Sequence, residues 1–325
     1  MRFRLATSQD KEYVLNFCKD TFSWGDYIDR VWDIWITEPN SILLVAEIEN
    51  HNIKKEGKKP IAIAHGILIP EKTIWIEGIR VNPEYRKQKL ATNLINRILD
   101  YGRKKEAAYS AAIVSIKNEA SKEVMKKSGF KVLSKWSYIS TDQMILVPKS
   151  NLIDSFKIAD ANDYQQIINF LRNSKIFNES GKKFVKSWRW YDLTDDMLFT
   201  MIYNKQVIIV GKNNSDNKNN NNVDNSNRLQ IRGITIIDRE GYWNNQNIFQ
   251  IVYIDADSKD LFLSLINKSL ELVLKHNEKY RNNKKNKNKY ERIQIFSPYR
   301  EYNSRLFTKS NNSFCEQFLL YYKRI

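Results

Sequence analysis

The chain has 325 residues, 42% hydrophobic and 12% aromatic, enough apolar side chain for about two folded cores and too much for a purely disordered polymer. Its formal charge of +16 favours anionic partners such as nucleic acid, a membrane surface or a multiply phosphorylated cofactor, although a generic lysine-rich surface accounts equally well for it. Two distant cysteines, Cys18 and Cys315, and three scattered histidines, His51, His65 and His276, exclude a disulfide framework and a multi-histidine zinc site, so no metal is expected.

The N-terminal segment has no apolar signal region, and no stretch approaches the ~18 apolar residues of a membrane span. A cytoplasmic protein with no membrane partner is therefore expected. Residues Arg2–Ala6 alternate like a short strand, and Ser8 and Asp10 offer caps to a helix carrying Tyr13, Val14, Phe17 and Cys18 on one face. A second helix is predicted from Tyr27 to Ile36, stopped by Pro39. Strands follow at Ser41–Ile48, Pro60–Pro70 and Thr73–Val81, with His51–Lys59 as a hairpin loop. Leu90, Leu94, Ile95, Ile98 and Leu99 then share a helical face, with the helix starting just after Arg86. A strand at Ala111–Ile116, a helix at Ala120–Lys127 and a strand at Gly129–Ser140 complete a mixed α/β (α+β) layer order, unlike a doubly wound parallel sheet.

One segment recurs. Phe3-Arg-Leu-Ala, Asp10 and Val14-Leu-Asn-Phe17 return as Phe156-Lys-Ile-Ala, Asp163 and Ile167-Ile-Asn-Phe170. The constant offset is a domain length, which predicts a duplicated unit with domains at 1–147 and 155–325. Asn-rich 213–227 and Lys/Asn-rich 281–289 bury too little apolar surface to offset their ordering entropy, and read as insertions in the second half.

The chemistry is concentrated between Glu77 and Ala91. A strand ends at Val81, Pro83 forces a turn, and a helix begins beyond it. The free N–H groups and positive dipole end of that helix, with Arg86, Lys87 and Lys89, suit a pyrophosphate. An ordinary strand–turn–helix is the alternative reading. The residues Val81, Pro83, Tyr85, Arg86, Lys89 and Ala91 resemble the coenzyme A signature of the GNAT acetyltransferase superfamily, V-x-P-x-[YW]-[RQ]-x-x-G-x-[GA], with Lys89 where glycine is usual. Asn118 followed eleven residues later by Gly129-Phe130 resembles that superfamily's second signature, although Asn118 and Ser121 also read as helix caps. The resemblance covers about residues 1–147. It implies a GNAT acyltransferase fold, acetyl-CoA as co-substrate, and coenzyme contacts from Ile79, Arg80, Val81, Arg86, Lys87, Gln88, Lys89, Leu90, Ala91 and Asn118. The run Asp26-Tyr-Ile, Trp35, Glu38-Pro-Asn40 and Glu77–Pro83 looks like the histidine N-acetyltransferase group, which also carries a C-terminal domain.

The reaction so implied is direct transfer of acetyl from acetyl-CoA to a primary amine of a small molecule, an amino acid or a peptide N-terminus. A non-catalytic acyl-CoA-binding or regulatory module is the alternative. A nucleic-acid binder ranks last, since no recognised motif accompanies the charge. Glu77 is the candidate base, expected on one strand face with Trp75, Ile79 and Val81, where an apolar setting would raise its pKa; a structural pair with Arg80 or another basic side chain is the competing reading. The position seven residues after Asn118, a tyrosine acid in many relatives, is Met125, leaving Tyr138 or water to protonate the thiolate. The acceptor pocket is sought under Phe22–Trp35, with Trp24 and Tyr27 as contacts, although aromatics at such spacings also build cores. His65, mid-strand, reads as structural. The second half lacks the phosphate turn and reads as a degenerate GNAT-like domain without coenzyme A, its Trp188-Arg-Trp190-Tyr cluster expected to pack on the first.

Overall fold

The structure is a computed structural model that describes residues 1–22, 25–49, 58–141, 154–213, 229–243, 246–279, 289–298 and 313–325. It divides into two compact units, Met1–Leu133 with Leu319–Ile325, and Ser134–Phe318. The boundary thus differs from 1–147 and 155–325, for a reason that lies in the strand order.

In the first unit β1 (Arg2–Leu5), β2 (Ser41–Glu49), β3 (Lys58–Ile69) and β4 (Thr73–Val81) pair antiparallel in sequence order, and β5 (Tyr109–Ser115) runs parallel to β4. Helices α1 (Lys11–Cys18) and α2 (Ile28–Thr37) supply Val14, Cys18, Ile28, Trp32 and Trp35 to a core with Leu43, Val45 and Ile63. A second core forms where α3 (Leu90–Lys104) and α4 (Glu119–Lys127) set Leu94, Ile95, Ile98 and Met125 against Ile74, Ile76 and Ala112. Apolar stripes at helical spacing meeting strand faces of period two account for both layers.

The strand beside β5 comes from far along the chain. It is β14 (Ser313–Arg324), whose residues from Leu319 onward belong to this unit. Tyr322 stacks on Tyr109 at 5.0 Å, Ile325 donates its N–H to Ala108 at 3.0 Å, and Lys323 Nζ donates to the Ser128 carbonyl at 2.7 Å.

The second unit repeats the plan. Its strands are β7 (Ser155–Ile158), β10 (Val207–Asn213), β11 (Leu229–Trp243), β12 (Gln246–Ala256) and β13 (Tyr290–Pro298), and they follow in the order β7-β10-β11-β12-β13. The pairs are antiparallel except β12 with β13, which is parallel, as β4 is with β5. Helices α5 (Tyr164–Asn173), α6 (Lys175–Glu179) and α7 (Asp195–Tyr203), the hairpin β8 (Lys183–Lys186)–β9 (Arg189–Asp192), and α8 (Lys259–Lys279) complete it. The strand next to β13 is β6 (Lys131–Thr141), paired from Trp136 to Thr141. The first unit thus takes a strand segment from beyond residue 318, and the second counts β6 from Ser134 onward, so the compact units do not coincide with two consecutive halves.

The repeated segment occupies the same corner in both units. Thr7 and Asp10 form a capping box before α1, as Asp160 and Asp163 do before α5. Arg4 reaches Asp10 at 2.7 Å and Lys157 reaches Asp163 at 2.8 Å. The expected insertions at 213–227 and 281–289 fall almost entirely outside the described residues. Trp188 and Trp190 pack on Tyr138, Phe296 and Trp136. Trp136 and Tyr138 fall in the half first counted as the N-terminal domain, yet belong to the second unit.

Candidate functional site

Strands β4 and β5 keep register only from Thr73–Tyr109 to Trp75–Ala111, and their remaining lengths part. Ser110 Oγ donates to the Ile74 carbonyl at 3.1 Å, pinning the closed end. Just beyond the parting, Gly78 and Ile79 stand together opposite Ala64, a β-bulge. Gly78 has φ +64°, and a Cβ on it would lie 2.4 Å from Trp35 Cη2, so both backbone and space require glycine.

The bulge inverts the expected alternation. Ile74, Ile76, Ile79 and Val81 face the α3 core, whereas Glu77 and Arg80 share the opposite face with α2. Glu77 therefore does not sit beside Ile79 and Val81, because one extra residue flips the side chains beyond it. Glu77 Oε1 lies 3.0 Å from His65 Nδ1, and Trp75 Nε1 donates to Oε2 at 3.1 Å. His65 is fully buried, stacked on Trp35 at 4.5 Å, with Nε2 3.8 Å from Glu38 Oε2. The donor atoms of Glu38, His65 and Glu77 lie within 4.8 Å of one another, close enough to share a proton or a cation.

Arg80 is not Glu77's partner. Its guanidinium grips Asp26 through Nε at 2.7 Å and a second nitrogen at 3.1 Å, with the Phe22 and Tyr27 rings each 5.1 Å away. Burial opposes the charge, but Tyr27 and Asp26 outweigh it and raise the Arg80 pKa. The side chain of this expected coenzyme contact is thus committed to the α2 side. Burial, reinforced by the Asp26 charge, pushes the Cys18 thiol up to about 12, which leaves it a core side chain without thiolate character.

After β4, Asn82 caps a short 3-10 turn at Pro83–Tyr85 by accepting the Glu84 N–H. Helix α3 begins at Leu90, later than the expected start after Arg86. Lys87 (φ 65°) and Lys89 (φ 59°, ψ 17°) are both left-handed rather than helical, and Lys89 is the N-cap. Alternating backbone of this kind aims successive N–H groups into one concavity, which suits an anion. Arg86, Lys87, Gln88 and Lys89 are exposed there, and the first turn of α3 carries no acid. Leu90 is buried and Ala91 half-buried at the helix start. These residues fit a pyrophosphate. Asn118, at the end of β5, caps α4 by accepting the Ser121 N–H at 3.0 Å.

The other expected site residues are placed elsewhere. Met125 is core. Tyr138 belongs to the second unit, ringed by Trp188, Phe296, Phe314 and Phe318, where burial pushes its hydroxyl up to about 12. It is a packing residue of that unit. Tyr27 lies against Trp35 and Arg80 on the Glu77 face, while Trp24 lies outside the described residues. The turn at Glu71 leaves His65 and Glu77 six residues away on either side, which is the sequence signal for this antiparallel pair.

Among the described residues, the second unit has no counterpart of the anion turn between β12 and α8. Between β12 and α8 stand only Asp257 and Ser258, against residues 82–89 in the first, and Asp260 follows in the first turn. Where β4 has Arg80 in its penultimate position, β12 has Asp255, bonded to Ser174.

Residues 10–130 match the model of the acetyltransferase (GNAT) family. Among curated proteins none matches the sequence. Among solved structures, the GCN5-related N-acetyltransferase from Sphaerobacter thermophilus aligns over 99% of this chain and 95% of its own, with 10% identity and a TM-score of 0.60. A protein from Thermoplasma acidophilum, provisionally assigned as an acetyltransferase, aligns over all of both chains with 15% identity and a TM-score of 0.51. Both likenesses are of fold. No helix among the described residues is long and apolar enough to cross a membrane. With the β4 bulge, the parting strands and the left-handed turn into α3, the family match makes the first unit a GNAT-superfamily acetyltransferase domain, followed by a second unit of GNAT-like order.

Proposed function

We propose that the chain is an N-acetyltransferase that moves acetyl from acetyl-CoA directly to a primary amine of a small molecule, an amino acid or a peptide N-terminus. The observation that carries this reading is the Glu77 carboxylate, fixed by His65 and Trp75 beside the parting of β4 and β5. Exposed Arg86, Lys87, Gln88 and Lys89, with the N–H groups of Leu90 and Ala91, would hold the pyrophosphate, and Asn118 the arm of the coenzyme. When bound, acetyl-CoA supplies the thioester.

Glu77 takes a proton from the acceptor ammonium, freeing the nitrogen lone pair. The N–H groups at the Gly78–Ile79 bulge are the donors assigned to the developing oxyanion. With Met125 in the core and Tyr138 in the second unit, water is assigned to protonate the departing thiolate. The carboxylates Glu38 and Glu77 on the α2 side favour a cationic acceptor on an otherwise basic chain, Asp26 being paired with Arg80. In layout we place the chain nearest the histidine N-acetyltransferase group, and in location in the cytoplasm.

Thiol release from acetyl-CoA against amino acids, polyamines and peptides tests this. Glu77→Gln is expected to lower turnover about 10²- to 10⁴-fold with coenzyme affinity retained. Coenzyme binding without turnover on any amine would instead favour a binding module.

A further inference from the structure

We propose that His65 is the positioning residue of the reaction: it donates its Nδ1 proton to Glu77 Oε1 and holds that carboxylate in the orientation that accepts the amine's proton. The inference rests on the reading of Glu77 as base and adds a residue to it.

Four observations support it. His65 on β3 stands directly opposite Glu77 on β4, and the Nδ1–Oε1 distance is 3.0 Å. Trp75 donates to the other oxygen, so both oxygens of Glu77 are held and the carboxylate plane is set. The imidazole is fully buried and parallel to Trp35 within 4°, so its own plane is set too. Trp35 in turn occupies the space that a Cβ on Gly78 would take, which ties the orientation of the base to the bulge. A buried imidazole is costly unless its nitrogens are used. Among the described residues Nε2 has no hydrogen bond, and it faces Glu38 at 3.8 Å, so the hydrogen-bonding work of the ring is concentrated on Glu77.

In the step so assigned, the acceptor's N–H bond breaks and an O–H bond forms on Glu77. His65 keeps its proton throughout. It acts on the rate through Glu77, and Glu38 stands behind it as the carboxylate nearest Nε2.

The test compares kcat and KM for acetyl-CoA and for the best amine found in the panel. The variants are His65→Leu, His65→Asn, His65→Gln, Glu77→Gln and the double variant His65→Leu/Glu77→Gln. An asparagine amide nitrogen mimics Nδ1, whereas a glutamine amide mimics Nε2. His65→Leu is expected to lower kcat about 100-fold with KM for acetyl-CoA unchanged, as a misplaced base would. His65→Asn should recover at least a tenth of the wild-type kcat and His65→Gln should not. The double variant should be no slower than Glu77→Gln, because the two residues act as one unit. Equal losses in Asn and Gln variants, or a full further loss from His65→Leu in the Glu77→Gln background, would overturn the assignment. Should the leucine variant not fold, the asparagine–glutamine contrast decides alone. Full activity in Glu77→Gln removes the base itself, whereas an inactive Glu77→Gln beside a fully active His65→Leu removes only the role of His65.

Discussion

Lys89 stands where a GNAT signature usually has glycine, and the structure shows what that asks of the backbone. It caps α3 at φ 59°, ψ 17°, a conformation that costs a residue with a Cβ about 1 kcal/mol. Lys89→Gly is therefore expected to stabilise the first unit by about 0.5–1 kcal/mol in urea denaturation, while Lys89→Ala keeps the strain and gains nothing. At this scale the sequence was partly legible. The glycine-to-lysine departure was visible, but helical backbone was expected of Lys89, because side-chain type alone does not say on which side of the cap a residue falls. The bulge at Gly78 was legible as a glycine in a strand. Its consequence for Glu77 and Arg80 was not, since a reversal of face depends on which partner residue is skipped.

The corner where β1 meets α1 is built twice, and its first copy predicts an acid response. Burial alone would raise the Asp10 carboxyl, but Arg4 and the Thr7 N–H outweigh it and hold the pKa below its ordinary 3.8. A depressed carboxyl contributes stability above its unfolded value and loses it as pH falls through the folded one. Asp10→Asn should thus lower the melting temperature at pH 7 and make little difference near pH 2, as read by thermal denaturation across pH. The other telling element is β14. Tyr321 is buried in the α3 core with Leu319 and Ile325 beside it, so Tyr321→Ala is expected to cost about 3 kcal/mol, seen as early melting of the first unit. Strands and helices were largely legible from periodicity, down to Thr73–Val81 residue for residue. The use of β14 beside β5 was not, because a strand's pattern fixes which face it buries and says nothing about which edge it joins.

Over the whole chain, the two units share an order of strands yet differ at the turn that would receive a phosphate. Residues 82–89 build it in one, and Asp257-Ser258 leave no room for it in the other, with Asp260 adding negative charge at the helix start. Calorimetric titration with acetyl-CoA is accordingly expected to give one site per chain, and Arg86→Ala with Lys87→Ala should abolish it without exposing a second. The repeat at constant offset revealed the duplication in the sequence. The chain path that closes each sheet was hidden, since nothing in residues 134–141 distinguishes a strand kept from a strand lent.

That path has a bearing on synthesis. A ribosome delivers Met1–Leu133 before the second unit, but the segment that covers the β5 edge is not made until after residue 318. During the interval the nascent first unit holds an edge strand with unpaired backbone groups, the kind of edge that pairs with other chains. The first unit is therefore begun before the second and finished after it.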